Sequence, residues 1–270
     1  MNNKKTKKYI AKNIIISLDF DGVIGHGIEV KKKYAKEWFG VELELHQTKK
    51  EGFEDLMKSL GKKETNYRSL MDRIAEEHTS EYKMLEGTRT VLKSLYRQGF
   101  RFDIITSRNN HDYPYAKQFV KEKLGYLIKN THNTRNEPKD EFVKKIRPRI
   151  HMDDDITKLT ELEMEATNKL YFRQPENKHI NFSEFSNYNF KEINKWDEFH
   201  EYCIEMKEQH EAICWKYDIE NKWNNTERIL NKIESKTKKE NKEIIKDYQE
   251  MREKYIQEIY NNYIGVKNSI

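Results

Sequence analysis

Three short apolar runs, each stopping abruptly at polar groups, set the frame of this chain. Ile14-Ile15-Ile16-Ser17-Leu18 runs into Asp19-Phe20-Asp21-Gly22, Arg101-Phe102-Asp103-Ile104-Ile105 into Thr106-Ser107-Arg108, and Ile150-His151-Met152 into Asp153-Asp154-Asp155. Short β-branched runs of this kind predict buried strands. Their polar ends then lie at strand C-termini, where open α/β sheets form their ligand crevices. Asp19 and Asp21 would share a face if the first strand ran on, and Gly22 allows a tight turn. Lys169-Leu170-Tyr171-Phe172 is a further strand candidate. Helical spacing appears at Val91, Leu92, Leu95 and Tyr96 ahead of Gly99, from about Tyr115 to Leu124 ahead of Gly125, and from Asp140 to Ile146. Strands alternating with helices predict an α/β fold with a doubly wound, mainly parallel sheet.

Two stretches depart from that alternation. Between residues 27 and 86, Val30, Tyr34, Trp38 and Phe39, then Phe53, Leu56, Met57 and Leu60, then Leu70, Met71, Ile74 and Ala75 recur at three- and four-residue spacing, which predicts a small helical insertion. Beyond Trp196 one helical stripe runs from Phe199 to Tyr217, and another, after Thr226, runs through Ile229, Ile244, Met251 and Tyr263. These predict a helical extension over 204–270, packed as a hairpin or offering a coiled-coil surface for self-association. The core then comprises 1–26 and 87–203, with 1–8 a basic disordered tail.

Composition narrows the picture. Charged residues make up 36% of the 270-residue chain and its formal net charge is +5, with a mean hydropathy of −1.06. Lysines and acids are abundant together, which permits an anionic substrate without demanding nucleic acid. The two cysteines, Cys203 and Cys214, form no disulfide framework or zinc pattern, so a reducing cytoplasm is the expected setting. No run is long enough to span a bilayer, and no signal peptide is expected. His26, His111, His132 and His151 lack metal-ligand spacing and read as surface or turn residues.

Taken together, Asp19-x-Asp21-Gly22, Thr106 at a strand end, a lysine ahead of the third strand and the Asp153-Asp154 pair resemble the haloacid dehalogenase (HAD) superfamily of phosphotransferases. Within it, the chain is similar to the 5'(3')-deoxyribonucleotidase group from about Lys12 to Tyr202. Thr106-Ser107 followed by Pro114-Tyr115-Ala116-Lys117, Thr134-Arg135 with Lys139, Asp153-Asp154, and Gln174-Pro175-x-Asn177 with Trp196 carry that likeness. Gly52-Phe53 matches the segment that sets an aromatic ring against the base, although Glu54 stands where a tryptophan usually follows, and Asp155 where an arginine often does.

The resemblance implies a Rossmann-like core whose helical insertion is a mobile cap. It implies Asp19 as nucleophile, forming an aspartyl-phosphate, and Asp21 as general acid and then base. Thr106 and Ser107 would bind phosphoryl oxygens, Lys139 would neutralise developing charge, Lys117 would reach the substrate phosphate and Phe53 the base. Converging carboxylates need a compensating cation. Mg²⁺ suits oxygen ligands from Asp19, the Asp21 carbonyl, Asp153 and Asp154. Two assignments stay open at this stage: the acidic pair could be Asp154-Asp155, and Lys144 or Lys145 could take the place of Lys139. The expected activity is a Mg²⁺-dependent phosphatase acting on nucleoside monophosphates. A nucleic-acid 3'-end phosphatase and a non-catalytic binding protein on the same fold are the alternatives.

Overall fold

The apolar runs become neighbouring strands of one sheet. The computed structural model describes residues 14–135, 137–164, 167–209, 224, 228, 246, 250–254 and 257. Its strands are β1 (Ile14–Leu18), the two-residue β2 (Gly25–His26) and β3 (Lys83–Met84), β4 (Phe100–Thr106), β5 (Ile128–Asn133), β6 (Ile150–Asp153), β7 (Asn168–Phe172) and β8 (Phe190–Ile193). Six of them form a sheet in the order β5-β4-β1-β6-β7-β8, and every pairing in it is parallel. The three predicted strands with polar ends are therefore its centre, β4-β1-β6.

Parallel strands covered on both faces can be apolar throughout, and these nearly are. Ile14, Ile16, Leu18, Phe102, Ile104, Ile150 and Met152 are all buried. The alternate positions Ser17, Asp103, His151 and Asp153 are buried as well. One interior face thus carries the polar groups. Against it pack Val143 of the helix Asp140–Ile146 and Ile156 and Leu159 of the helix Ile156–Thr160, in a cluster with Ile105 and Tyr171.

Two strands carried no readable apolar signal. Of the apolar run Tyr126-Leu127-Ile128 the first two residues lie in a 3-10 turn, Gly125–Leu127, and only Ile128 opens β5, which continues through Lys129-Asn130-Thr131-His132-Asn133. As an edge strand it needs only its ladder to β4, and its Asn130 and His132 side chains bind the buried Asp103 carboxylate at 3.2 and 3.0 Å. β8 closes the opposite edge with Phe190-Lys191-Glu192-Ile193.

After β1 the chain passes through β2, which pairs antiparallel with β3. Between these two arms lie α1 (Ile28–Phe39), α2 (Lys50–Ser59) and α3 (Tyr67–Glu77). Gly40, with φ 68°, ends α1, and the Asn66 side chain caps α3 by accepting from the Ser69 amide at 2.9 Å. Tyr34, Phe53, Met57, Leu70 and Ile74 are buried within this layer. The remaining helices are α4 (Thr88–Arg97), α5 (Tyr113–Lys123), α6 (Asp140–Ile146) and α7 (Ile156–Thr160).

The chain divides into two compact units between Tyr202 and Cys203. Residues 196–209 are helical. The basic tail at 1–8 and most of the stripes read beyond 209, with Cys214, lie outside the described residues. Among the described residues no helix is long and apolar enough to cross a membrane.

Candidate active site

The site grows from the register of β1 on β6, in which Ser17 lies opposite His151 and Leu18 opposite Met152. The next amide, of Asp19, donates to the Met152 carbonyl at 2.9 Å. Asp19 is therefore drawn alongside Asp153, and both are buried. Asp19, Asp153 and Asp154 each offer a carboxylate oxygen within 4.8 Å of the others.

Beyond Asp19 the backbone folds back sharply. The Phe20 carbonyl accepts from the amides of Ile24 at 3.0 Å and Gly25 at 2.8 Å, and the Gly22 amide donates to the Gly25 carbonyl at 3.0 Å. Gly22 has φ 81°, and a Cβ there would overlap the Asp154 carboxylate. A side chain is excluded twice, by backbone conformation and by space. Gly22→Ala is expected to destabilise the fold by about 1–3 kcal/mol in chemical denaturation. It should also push Asp154 off the cluster, weakening cation binding measured by calorimetry.

Lys139 stands just ahead of α6, on the face where Val143 packs, and its side chain is 1% exposed. Its Nζ donates to Asp19 Oδ1 and, at 2.6 Å, to Asp153 Oδ2. Lys144 instead pairs with Asp140 at 2.5 Å and Glu163 at 2.7 Å, and Lys145 is exposed. Asp154 Oδ2 is bound by Lys49, at the start of α2, so the helical insertion sends a cation into the sheet's acidic cluster. Asp154 is also held from behind. Asn177 Nδ2 donates to its carbonyl at 3.0 Å, while Asn177 Oδ1 accepts from the Gln174 amide at 2.8 Å. Gln174-Pro175-Glu176-Asn177 is thus a brace for the acidic pair. Asp155 turns away to cap α7, accepting from the Thr157 amide at 3.0 Å, so it is Asp153 and Asp154 that meet Asp19.

Charge balance in this cluster is uneven. Burial pushes the Asp19 carboxyl up to about 7, against the pull of Lys139 and with the repulsion of Asp153. Burial also raises Asp154, despite Lys49. Burial would raise Asp153 too, but Lys139 and the bond from His151 hold it well below the usual carboxylate range. Three buried carboxylates, two of them reluctant to ionise, with oxygen-only donors in reach of one point, suit a hard divalent cation.

Asp21 lies at the half-exposed edge of this group. The Arg108 guanidinium grips it with two bonds of 2.8 Å from Nε and Nη2, while Nη1 donates to Thr79 Oγ1 of the insertion at 2.7 Å. Burial alone would raise the Asp21 carboxyl, yet Arg108 holds it below the usual range. Thr106, buried at the end of β4, accepts from the Arg108 amide at 3.4 Å, and Ser107 beside it is half-buried.

Two expected residues stand apart from these contacts. Lys117 is exposed on α5, its Nζ 6.0 Å from the Tyr113 ring centroid. Phe53 is fully buried, its ring edge-on to Phe39 at 6.2 Å and Tyr67 at 5.9 Å. The reading of the histidines also needs correction. His151 is neither surface nor turn but fully buried in β6, with Nδ1 2.8 Å from Ser17 Oγ and Nε2 3.6 Å from Asp153 Oδ2. Burial lowers its pKa. Its neighbours belong to a different strand and to the next residue on its own face, which no spacing rule for metal ligands would detect. Lys49 and Arg108 were likewise missed. Arg108 sits two residues beyond Thr106, a proximity that offered some signal; Lys49 offered none.

Comparison with known proteins agrees with this geometry. The family described as "5' nucleotidase, deoxy (Pyrimidine), cytosolic type C protein" matches residues 13–209. No protein of curated function matches. Among solved structures, a predicted phosphatase from Clostridium acetobutylicum superposes with a TM-score of 0.50 at 16% identity, over 72% of this chain and 99% of that one. A haloacid dehalogenase-like hydrolase from Streptococcus pneumoniae gives a TM-score of 0.49 at 14% identity, over 71% and 98%. The first of these likenesses speaks for the fold alone. The family match spans most of the chain, so this protein belongs to that nucleotidase family of HAD-type phosphatases, hydrolases of phosphoric monoesters.

Proposed function

We propose that this member of the deoxynucleotidase family removes phosphate from deoxyribo- or ribonucleoside monophosphates through an aspartyl-phosphate on Asp19. The observation that carries the reading is the convergence of Asp19 with Asp153, Asp154 and Lys139 at the ends of two adjacent strands. Asp19, Asp153, Asp154 and the Asp21 carbonyl would hold Mg²⁺. When bound, the ion supplies positive charge against the carboxylates and the phosphoryl group.

In the first half-reaction an Asp19 oxygen attacks phosphorus in line, and the bond from phosphorus to the nucleoside oxygen breaks. Asp21 delivers a proton to that leaving oxygen. In the second, Asp21 takes a proton from water, which attacks the aspartyl-phosphate and frees inorganic phosphate and Asp19. The Arg108 grip favours ionised Asp21, the form suited to the second half. Proton donation in the first half requires that grip to loosen. Lys139 offsets the charge on Asp19 and the phosphoryl oxygens, and the Thr106 and Ser107 hydroxyls hydrogen-bond those oxygens.

The insertion between β2 and β3 acts as a cap, joined to the sheet through Lys49 and Arg108, and closing it excludes water from the reacting groups. Phe53 supports the cap's aromatic layer from within. Lys117 stays outside this constellation. The test is a phosphate-release screen over deoxy- and ribonucleoside 5'- and 3'-monophosphates, sugar phosphates and 3'-phosphorylated oligonucleotides, with Mg²⁺ and with EDTA. Release from nucleoside monophosphates that stops with EDTA is the expected result. A preference for oligonucleotides, or turnover indifferent to EDTA, would refute the assignment.

A further inference from the structure

Among the described residues five cations act on the carboxylates, and four are already committed. Lys139 is shared by Asp19 and Asp153, Lys49 is on Asp154, both prongs of Arg108 are on Asp21, and Lys31, whose charge also reaches Asp21, donates to the Thr48 carbonyl at 3.2 Å. Lys158 differs. Among the described residues its one carboxylate contact is Asp155 Oδ2 at 4.0 Å, an ion pair too long for a hydrogen bond, and its side chain is 33% exposed. Even so, its charge acts on Asp19, Asp21 and Asp153.

The element that carries Lys158 is firmly placed. Ile156 and Leu159, on either side of it in α7, are buried in the apolar cluster beneath the polar face of the sheet. Asp155 caps the same helix. The lysine is therefore anchored at its backbone, with a third of its side chain exposed. Burial opposes its charge, but Asp153, Asp19 and Asp155 hold its pKa above the usual lysine range, so it stays an ammonium. An ammonium with spare donors, one-third exposed on the helix that directly follows Asp153 and Asp154, matches a phosphoryl group arriving at those strand ends.

Building on the phosphatase reading, we propose that Lys158 binds the phosphoryl oxygens of the substrate, as the cation of this ring that, among the described residues, has no hydrogen-bond acceptor and so keeps its donors for the ligand. The test compares wild type, Lys158→Met and Lys158→Arg. Methionine keeps the length and helical preference of lysine, and thermal melting checks that each variant folds. Calorimetric titration of inorganic phosphate into the Mg²⁺-loaded protein should show affinity about 10- to 100-fold weaker in Lys158→Met. KM for a deoxyribonucleoside monophosphate should rise in parallel while kcat changes far less, and Lys158→Arg should recover most of the loss.

Unchanged phosphate affinity and KM in Lys158→Met would overturn the proposal and leave a solvated helix charge. Altered Mg²⁺ affinity with phosphate binding intact would also overturn it, making Lys158 a counterion of the cluster. If the wild type turns over nucleotides and binds phosphate yet Lys158→Met does the same, only this inference falls. A wild type that neither binds phosphate nor releases it would sink the phosphatase reading as well.

Discussion

Asp19→Asn is expected to abolish phosphate release, lowering kcat by about 10⁴-fold or more, as loss of a covalent nucleophile does in other hydrolases. The amide keeps the shape of the carboxylate but is a poor nucleophile. Asp19 is buried beside Asp153 with its carboxyl pushed up to about 7, so the neutral side chain also relieves an unfavourable buried charge. Circular dichroism of the variant should match the wild type, which separates lost chemistry from lost structure. Acid-quenched protein from a reaction with ³²P-labelled substrate should carry label in the wild type and none in the variant. Persistent turnover, or label that survives the substitution, would rule out Asp19 as the attacking group.

Lys139→Met should produce the largest loss of stability. Its ammonium lies between Asp19 and Asp153, all three side chains being at most 4% exposed. Removing it strands two buried carboxylates, and breaking a buried pair in this way costs about 3–5 kcal/mol. The sign with pH follows from linkage. Without Lys139 the main pull that lowers both carboxyls is gone. Asp19 stays above its unfolded value through burial and the repulsion of Asp153, and Asp153 keeps only His151 and Lys158 against its burial. Ionisation then weighs more heavily against folding as pH rises. The deficit in urea unfolding should therefore be greatest at pH 7–8 and shrink toward pH 4–5, with partial recovery on adding Mg²⁺ at neutral pH. A uniform deficit at every pH would mean that packing, not charge, is what Lys139 contributes.

Much of the site could be read in one dimension because its chemistry sits where strands end. Apolar runs stopping at Asp19, Thr106 and Asp153 mark positions that a parallel sheet must place at one edge of itself, since all its strands point the same way. Edge strands escaped that reading. β5 and β8 need neither two buried faces nor an apolar pattern, so His132 reads as a surface or turn residue although it and Asn130 pair with Asp103.

The amino-acid order by itself determined the sheet's central strands, the acids at their ends and the helical nature of the insertion, because burial periodicity and chain-end chemistry are local properties. Which cation meets which acid was decided only by the tertiary structure. Lys49 reaches Asp154 from 105 residues away and Lys139 joins Asp19 across 120. Asp155 was excluded from the cluster by the cap it makes on α7, and Lys158 was left, among the described residues, with only a long ion pair to that same Asp155. Such pairings depend on distances of a few ångströms between separate elements, which no spacing along the chain encodes.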